Sequence, residues 1–396
     1  MDRLEHSAAA ADTLAAEKVM AVRPQCIGVR RLRDVIADCA QRIFHAGPDY
    51  RSPQEIPAPV LHSAAQAAVF EGWSASVDEA IAALRAGRIR TASAQAHRLL
   101  VPLSGVLSAS MTVFEIADPA QALAPVWVAL NEGQTHATRL GRLDDGLVPH
   151  LRWLNGAFAD WLTGGFETPL DLLPLLAEAR AQGDDCHART VVGSQLVSAA
   201  LLRRSPPVSE DVRAFLSESP AFALNVWMGA TALAASAAEG VEGASIVTRA
   251  GGNGVEFGIQ LASRPGQWVC VPAPVPQGTI EPAHQGRQAV GALGDSAVVD
   301  FAGLGGQSLQ FAPLVAQGVA GSLPADAAQR AVQVLASKAP PLVRGLCATA
   351  AASCVAAGVG PLVLIGMIDA QGVAGRIGGG VVDVPATLFE RALQAH

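Results

Sequence analysis

The amino-acid sequence predicts an α+β fold: a multi-domain mixed α/β body with a small inserted all-helical domain. Three observations lead there. The chain has 396 residues, more than one hydrophobic core usually organises. From Leu147 to about Ser219 nearly every segment carries helical spacing and no strand signal. The remainder alternates strand-like runs with helices, too irregularly for a doubly wound sheet. The expected domains are 1–146, an N-terminal α/β domain; 147–222, the helical domain; and 223–396, a C-terminal α+β domain carrying two glycine-rich blocks.

Along the chain, Ala9 to Met20 predicts a helix, CIGV a short strand, and Arg31 to Phe44 a second helix. HAGPDYRSPQEIPAP predicts a loop. The alanine-rich stretches Ala64 to Phe70 and Val77 to Ala86 predict helices, with Ser74 or Ser76 as cap and Gly87 as stop. MTVFEI and PVWVAL predict strands, and Leu170 to Ala181 predicts a helix ending at Gly183. GDDCHARTVVGSQLVSAALL predicts a helix with acids in its first turn, where the dipole favours them. Ala221 to Ala238 predicts a long helix buried on most sides. ASIVTR, VEFGIQLA, QWVCVPAP, SAVVDFAG and LVLIGMI predict strands, and Leu309 to Val319 and Ala325 to Lys338 predict helices.

Composition narrows the function. Half of the residues are apolar, 16% are charged and the net charge is −7, with no basic block, which excludes a nucleic-acid binder. The six cysteines are scattered without a Cys-x-x-Cys pair and predict reduced thiols in a cytoplasmic protein. The early acids of the N-terminus are wrong for a signal peptide. Leu346 to Ile368 is uncharged and long enough to cross a bilayer, but Gly358, Gly360 and Pro361 break it, so it predicts a buried helix, a turn and a buried strand. Neither a Walker A motif nor a Rossmann glycine fingerprint is present, so no ATP, NAD or other cofactor is indicated.

Glycines concentrate between Ala244 and Gly306, in GASIVTRAGGNGVEFGIQL and GALGDSAVVDFAGLGGQ, where the backbone can bend sharply and approach a ligand. Gly251, Gly252, Asn253 and Gly254 form one candidate nest of amides, and Gly303, Leu304, Gly305 and Gly306 another. Both are equally readable as turns. If VEFGI is a strand, Val255, Phe257 and Ile259 share the core face and Glu256 the other.

Several motifs occur in an order that carries a resemblance: HAGPDY, LSGVLSASMTVFEI, the NEG of VALNEG, GDDCHAR, GNGVEFGI, GDSAVVDFAGLGG and GGGVVDVPATLFERAL. The chain resembles the AllG-type family, which comprises the oxamate carbamoyltransferase subunit of allantoin degradation and uncharacterised relatives. The resemblance implies a cytoplasmic subunit working beside an FdrA-like (AllF-type) subunit and an AllH-type subunit. Such complexes interconvert oxalurate plus phosphate with oxamate plus carbamoyl phosphate.

Carbamoyl transfer would need a phosphate cradle, donors for the carbamoyl oxygen and a cation for the carboxylate. On that implication Asn253, Glu256 and Asp295 are candidate catalytic groups, with Glu256 as proton acceptor. Gly251, Gly254, Ser296, Asp300, Gly305 and Gly306 are candidate substrate contacts. A serine nucleophile is not indicated, because GDS is not a Gly-x-Ser-x-Gly elbow and direct attack needs none. In GDDCHAR, Asp184, His187 and Arg189 are candidate contacts, Arg189 through its planar fork. Their spacing does not make a metal site, and a helix-cap role is equally open. Asn131 and Glu132 end a predicted strand, and His45 precedes a Gly-Pro turn; both carry structural readings as well. Two classes stay open: a catalytic subunit, including one acting on a related ureido acid or amide, and a non-catalytic scaffold or ligand-binding subunit.

Overall fold

The computed structural model describes residues 2–205, 207–336 and 345–395 and is an α+β fold of several sheets and many helices. A five-stranded mixed sheet runs in the order Leu99–Leu100, Val126–Ala129, Thr112–Ala117, Gln25–Arg31, Leu170–Asp171. Every residue of Thr112–Ala117 is buried. That continuous burial has a cause: the Phe222–Ser236 helix lies on the sheet so closely that a Cβ on Gly229 would stand 2.5 Å from Ile116 Cγ1. Phe114, Phe222 and Trp227 join Phe158, Trp161 and Leu162 of the helices after Leu147 in one hydrophobic core.

A small sheet of Arg90–Ser93, Arg42–His45 and Val106–Leu107 packs against the Ala58–Phe70 and Val77–Arg85 helices in a second core. Ser76 caps the latter helix, accepting from the Glu79 N–H. The C-terminal part holds two further sheets. One runs Val269–Pro272, Glu256–Leu261, Val247–Asn253, Leu293–Gly294; the other runs Gln277–Ile280, Arg376–Asp383, Leu362–Ile368. Phe257, Phe301 and Phe389 are buried in the core that these strands share.

Several local readings differ from the structure. Arg31 to Phe44 is helical only over Leu32–Val35, and Arg42–His45 is a strand, because it gains a parallel partner in Arg90–Ser93 and an antiparallel one in Val106–Leu107. SAVVDF is a helix, Ala297–Phe301, not a strand. All five helical residues are buried, so the apolar run lacks the one-sided pattern that separates helix from strand. Val255 precedes its strand and is 38% exposed, while Phe257 and Ile259 face the core. The acids of GDDCHAR precede their helix, which begins at Val191. The Leu346 to Ile368 stretch is a helix, Ala351–Ala357, a turn and a buried strand, Leu362–Ile368. The predicted Ala325 to Lys338 helix is 3-10 over Ala327–Gln329 and α over Arg330–Val334, and its last two residues lie outside the described ones. Among the described residues no helix is long and apolar enough to cross a membrane.

Candidate functional site

A cavity of about 330 Å³ opens where the ends of the five-stranded sheet meet the C-terminal hairpin. Asn131, Arg139, His187, Arg189, Asn225, Ser296 and Arg376 supply polar groups, and no Asp or Glu is among the described lining residues. Asn131 follows the Val126–Ala129 strand and donates to Ala221 O and Asn225 Oδ1, both at 3.0 Å; Asn225 donates to Ala129 O at 2.8 Å. This pair ties the strand end to the first turn of the Phe222–Ser236 helix. The Val191–Arg204 helix also begins at the cavity wall, so two long helices present their N-terminal, partially positive ends.

Arg139 is buried, donates to Gly133 O at 2.5 Å, and its Nε has no partner among the described residues. Glu132 stands behind it. Both Glu132 oxygens accept from the Thr138 hydroxyl at 2.8 Å, and burial, only partly offset by that bond and the Arg139 charge, pushes its pKa up to about 7.

The 184–190 loop delivers two more groups. Asp184 accepts from the Gly193 N–H at 2.8 Å and from Arg189 Nη1 at 2.7 Å; Asp185 accepts from the backbone of Ala188 and Arg189. Cys186 adopts the left-handed region, φ +68°, a strained conformation for a side chain that the surrounding bonds must hold. The loop thereby places His187, whose Nδ1 lies 2.6 Å from Asp300 Oδ2, with both side chains buried. Burial disfavours charging His187, but the Asp300 carboxylate and its hydrogen bond outweigh this and hold the imidazole above its ordinary pKa. Asp300 Oδ1 accepts from Gly306 N at 2.8 Å and Leu364 N at 3.2 Å. Gly305 sits at φ +52°, and a Cβ there would strike the Asp300 carboxylate; one on Gly306 would strike the Leu362 carbonyl. Both glycines thus allow the backbone to close around Asp300.

A family model described as oxamate carbamoyltransferase subunit AllG matches residues 89–296, more than half of the chain. The chain belongs to the AllG family. It is 28% identical to oxamate carbamoyltransferase subunit AllG of Escherichia coli K12, over 98% of this chain and 97% of that protein. It is 27% identical to the uncharacterized protein YahG of the same organism, over 97% of this chain and 85% of that protein. A crystal structure of a conserved protein of unknown function from Enterococcus faecalis V583 superimposes with a TM-score of 0.91 at 26% identity, covering 99% of this chain and 98% of that one. The AllG-matched region holds Asn131, Arg139, His187, Arg189, Asn225 and Ser296; Asp300 and Arg376 lie beyond it.

In this AllG-family chain the structure brings Asn131, His187, Arg189 and Ser296 to the cavity, with Asp184, Asp300, Gly305 and Gly306 directly behind them. The other predicted residues go elsewhere. Asn253 builds a turn, accepting from Val255 N at 2.9 Å and Glu256 N at 2.7 Å and donating to Pro48 O. Glu256 pairs with Arg51. Gly251 leaves room for Asp295 and Gln95, and Gly254 turns the hairpin at φ +88°. Asp295 is fully buried and accepts from Gly47 N, Val101 N and Gln95 Nε2 at 2.6–3.0 Å; burial outweighs those bonds and raises it to about 7. His45 is buried beside Tyr50, with its pKa lowered by burial. Glu132 lines a neighbouring cavity. Among the described residues no group of three or more His, Cys, Asp or Glu could hold a metal ion.

Arg376, Asn225 and Gln134 escaped the sequence reading. Arg376 opens the Arg376–Asp383 strand and pairs with Glu281 at 2.6 Å, leaving its side chain 44% exposed at the cavity. Its signal was available: an arginine inside AGRIGGG, where glycines thin the wall around it.

Proposed function

We propose that this chain supplies the anion-binding and proton-accepting part of a carbamoyltransferase that interconverts oxalurate plus phosphate with oxamate plus carbamoyl phosphate, in allantoin and purine catabolism. It would act as a subunit beside FdrA-like (AllF-type) and AllH-type partners. The observation that carries this reading is the convergence of Arg139, Arg189 and Arg376 on one cavity that also holds the His187–Asp300 pair. The proposed reactants are small and anionic, and a planar guanidinium offers paired donors to carboxylate or phosphate. The two helix N-termini add to the positive potential. The volume suits a reactant of that size.

Forming the C–N bond of oxalurate removes a proton from the oxamate amide, and breaking the C–O bond of carbamoyl phosphate releases phosphate. His187, oriented through Nδ1 by Asp300, can take a proton at Nε2. The test is reconstitution with the two partners and assay of oxalurate phosphorolysis. His187→Gln is expected to lower turnover by roughly 10²–10⁴-fold with assembly intact. Unchanged turnover would favour a scaffold.

A further inference from the structure

We propose that Ser296 is a nucleophile that accepts the carbamoyl group on Oγ and passes it on, so that transfer runs through a carbamoyl-enzyme; the identity of the group rests on the carbamoyl-transfer reading. The first observation is the path of the backbone. The Leu293–Gly294 strand turns sharply into the Ala297–Phe301 helix, with Gly294 at φ +131° and the Leu103 backbone only 2.6 Å from where a Cβ would be. Ser296 is the last residue before that helix. A strand–turn–helix with the serine at its tip is the arrangement that presents a hydroxyl to an active site, although the Gly-x-Ser-x-Gly spelling is missing. Asp295, held by three hydrogen bonds, fixes the turn.

The second observation is the hydroxyl itself. Ser296 is 1% exposed and lines the cavity, yet Oγ has no hydrogen-bond partner among the described residues. Six other buried serines, Ser63, Ser93, Ser104, Ser108, Ser194 and Ser308, donate to carbonyl or carboxylate oxygens, while Ser198 Oγ is also without a partner but does not line this cavity. The third is register. Asp300 follows Ser296 by four residues, one helical turn, and holds the His187 ring that lines the same cavity. Ser296 and His187, the latter oriented by the Asp300 carboxylate, therefore line one cavity from two segments distant in sequence.

In the proposed step the Ser296 Oγ attacks the carbamoyl carbon of carbamoyl phosphate. The Oγ–C bond forms, the bond from that carbon to the bridging phosphate oxygen breaks, phosphate leaves with the bonding pair, and the serine proton passes through His187 Nε2 to the departing phosphate. The oxamate amide nitrogen then attacks the carbamoyl-serine; the C–N bond forms, the Oγ–C bond breaks, and the amide proton passes through His187 Nε2 to the Ser296 oxygen. No oxidant or further reactant is needed.

The full chain would be treated with p-nitrophenyl carbamate, following nitrophenol release and locating the adduct by peptide mass. One carbamoyl group on Ser296 is expected, absent in Ser296→Ala and formed about 10²–10⁴-fold more slowly in His187→Gln. Because Oγ has no hydrogen-bond partner among the described residues, Ser296→Ala should melt at the wild-type temperature, which separates loss of the nucleophile from loss of fold. An adduct elsewhere, an equal adduct in Ser296→Ala, or none on the wild type overturns the proposal. The two readings fail separately. Labelling of Ser296 without oxalurate phosphorolysis by the reconstituted complex refutes the substrate alone, and phosphorolysis undiminished in Ser296→Ala refutes the nucleophile alone.

Discussion

Replacing Asp300 by Asn tests the site with little change in shape. Asp300 Oδ1 accepts from two backbone groups, Gly306 N and Leu364 N, and an Asn carbonyl oxygen in the same place can keep both. The other oxygen becomes an NH₂ facing His187 Nδ1. The ring must then accept at Nδ1 and carry its proton on Nε2, the tautomer that cannot receive a proton there. One charge-assisted hydrogen bond is lost, about 1.5–3 kcal/mol, which a domain of ordinary stability survives. Turnover is expected to fall by roughly 10²–10⁴-fold, with KM for the anionic reactants nearly unchanged. His187 also loses the carboxylate that holds its pKa up, so the acidic limb of residual activity should move to lower pH. The assay is the pH profile of oxalurate phosphorolysis by the reconstituted complex. Wild-type turnover with an unmoved acidic limb would refute the dyad.

Arg139→Ala is expected to raise KM for oxalurate by about tenfold or more, with Arg139→Lys restoring only part, since a point charge cannot replace the fork; steady-state kinetics decide. Gly305→Ala forces a methyl against the Asp300 carboxylate and should cost about 1–3 kcal/mol, read as a lower denaturation midpoint; an unchanged midpoint contradicts the packing described. Asp295 and Glu132 titrate near pH 7 in the folded chain but near 4 when unfolded. Their folded forms hold extra protons in between, so the stability they contribute is full below about pH 4 and is lost as pH rises through 7. Urea midpoints of Asp295→Asn should show a shallower decline than wild type between pH 5 and 8; parallel declines would contradict the raised pKa.

The fold class was readable because long patterns carry it: the apolar face of Ala221 to Ala238 and the glycine break inside Leu346 to Ile368 each dictate one outcome. GDDCHAR stood out as a candidate site because two carboxylates, an imidazole and a guanidinium in seven residues are hard to place in a core. Other parts depended on contacts between distant segments. The density of glycines at Gly251 to Gly254 reports close backbone approach, and here the approaching group is the loop at Gly47 and the Asp295 carboxylate, not a cavity. The helix Ala297–Phe301 was hidden because a fully buried run has no polar side to reveal its period. Arg376 was invisible as a cavity residue because the hairpin of Arg376–Asp383 with Leu362–Ile368 is what brings it to the cavity that Arg139 lines.

Asp295 binds chain segments separated from it by 248, 200 and 194 residues, and His187 meets Asp300 across 113. A carboxylate so placed acts in time as well as in space. During synthesis the strand–turn–helix carrying Ser296 emerges long after Gly47, Gln95 and Val101, and it can lock only when all three already stand in register. Loop closure over such spans is entropically costly and slow. Assembly of this corner should therefore be among the last folding events, leaving partly folded chains chemically silent.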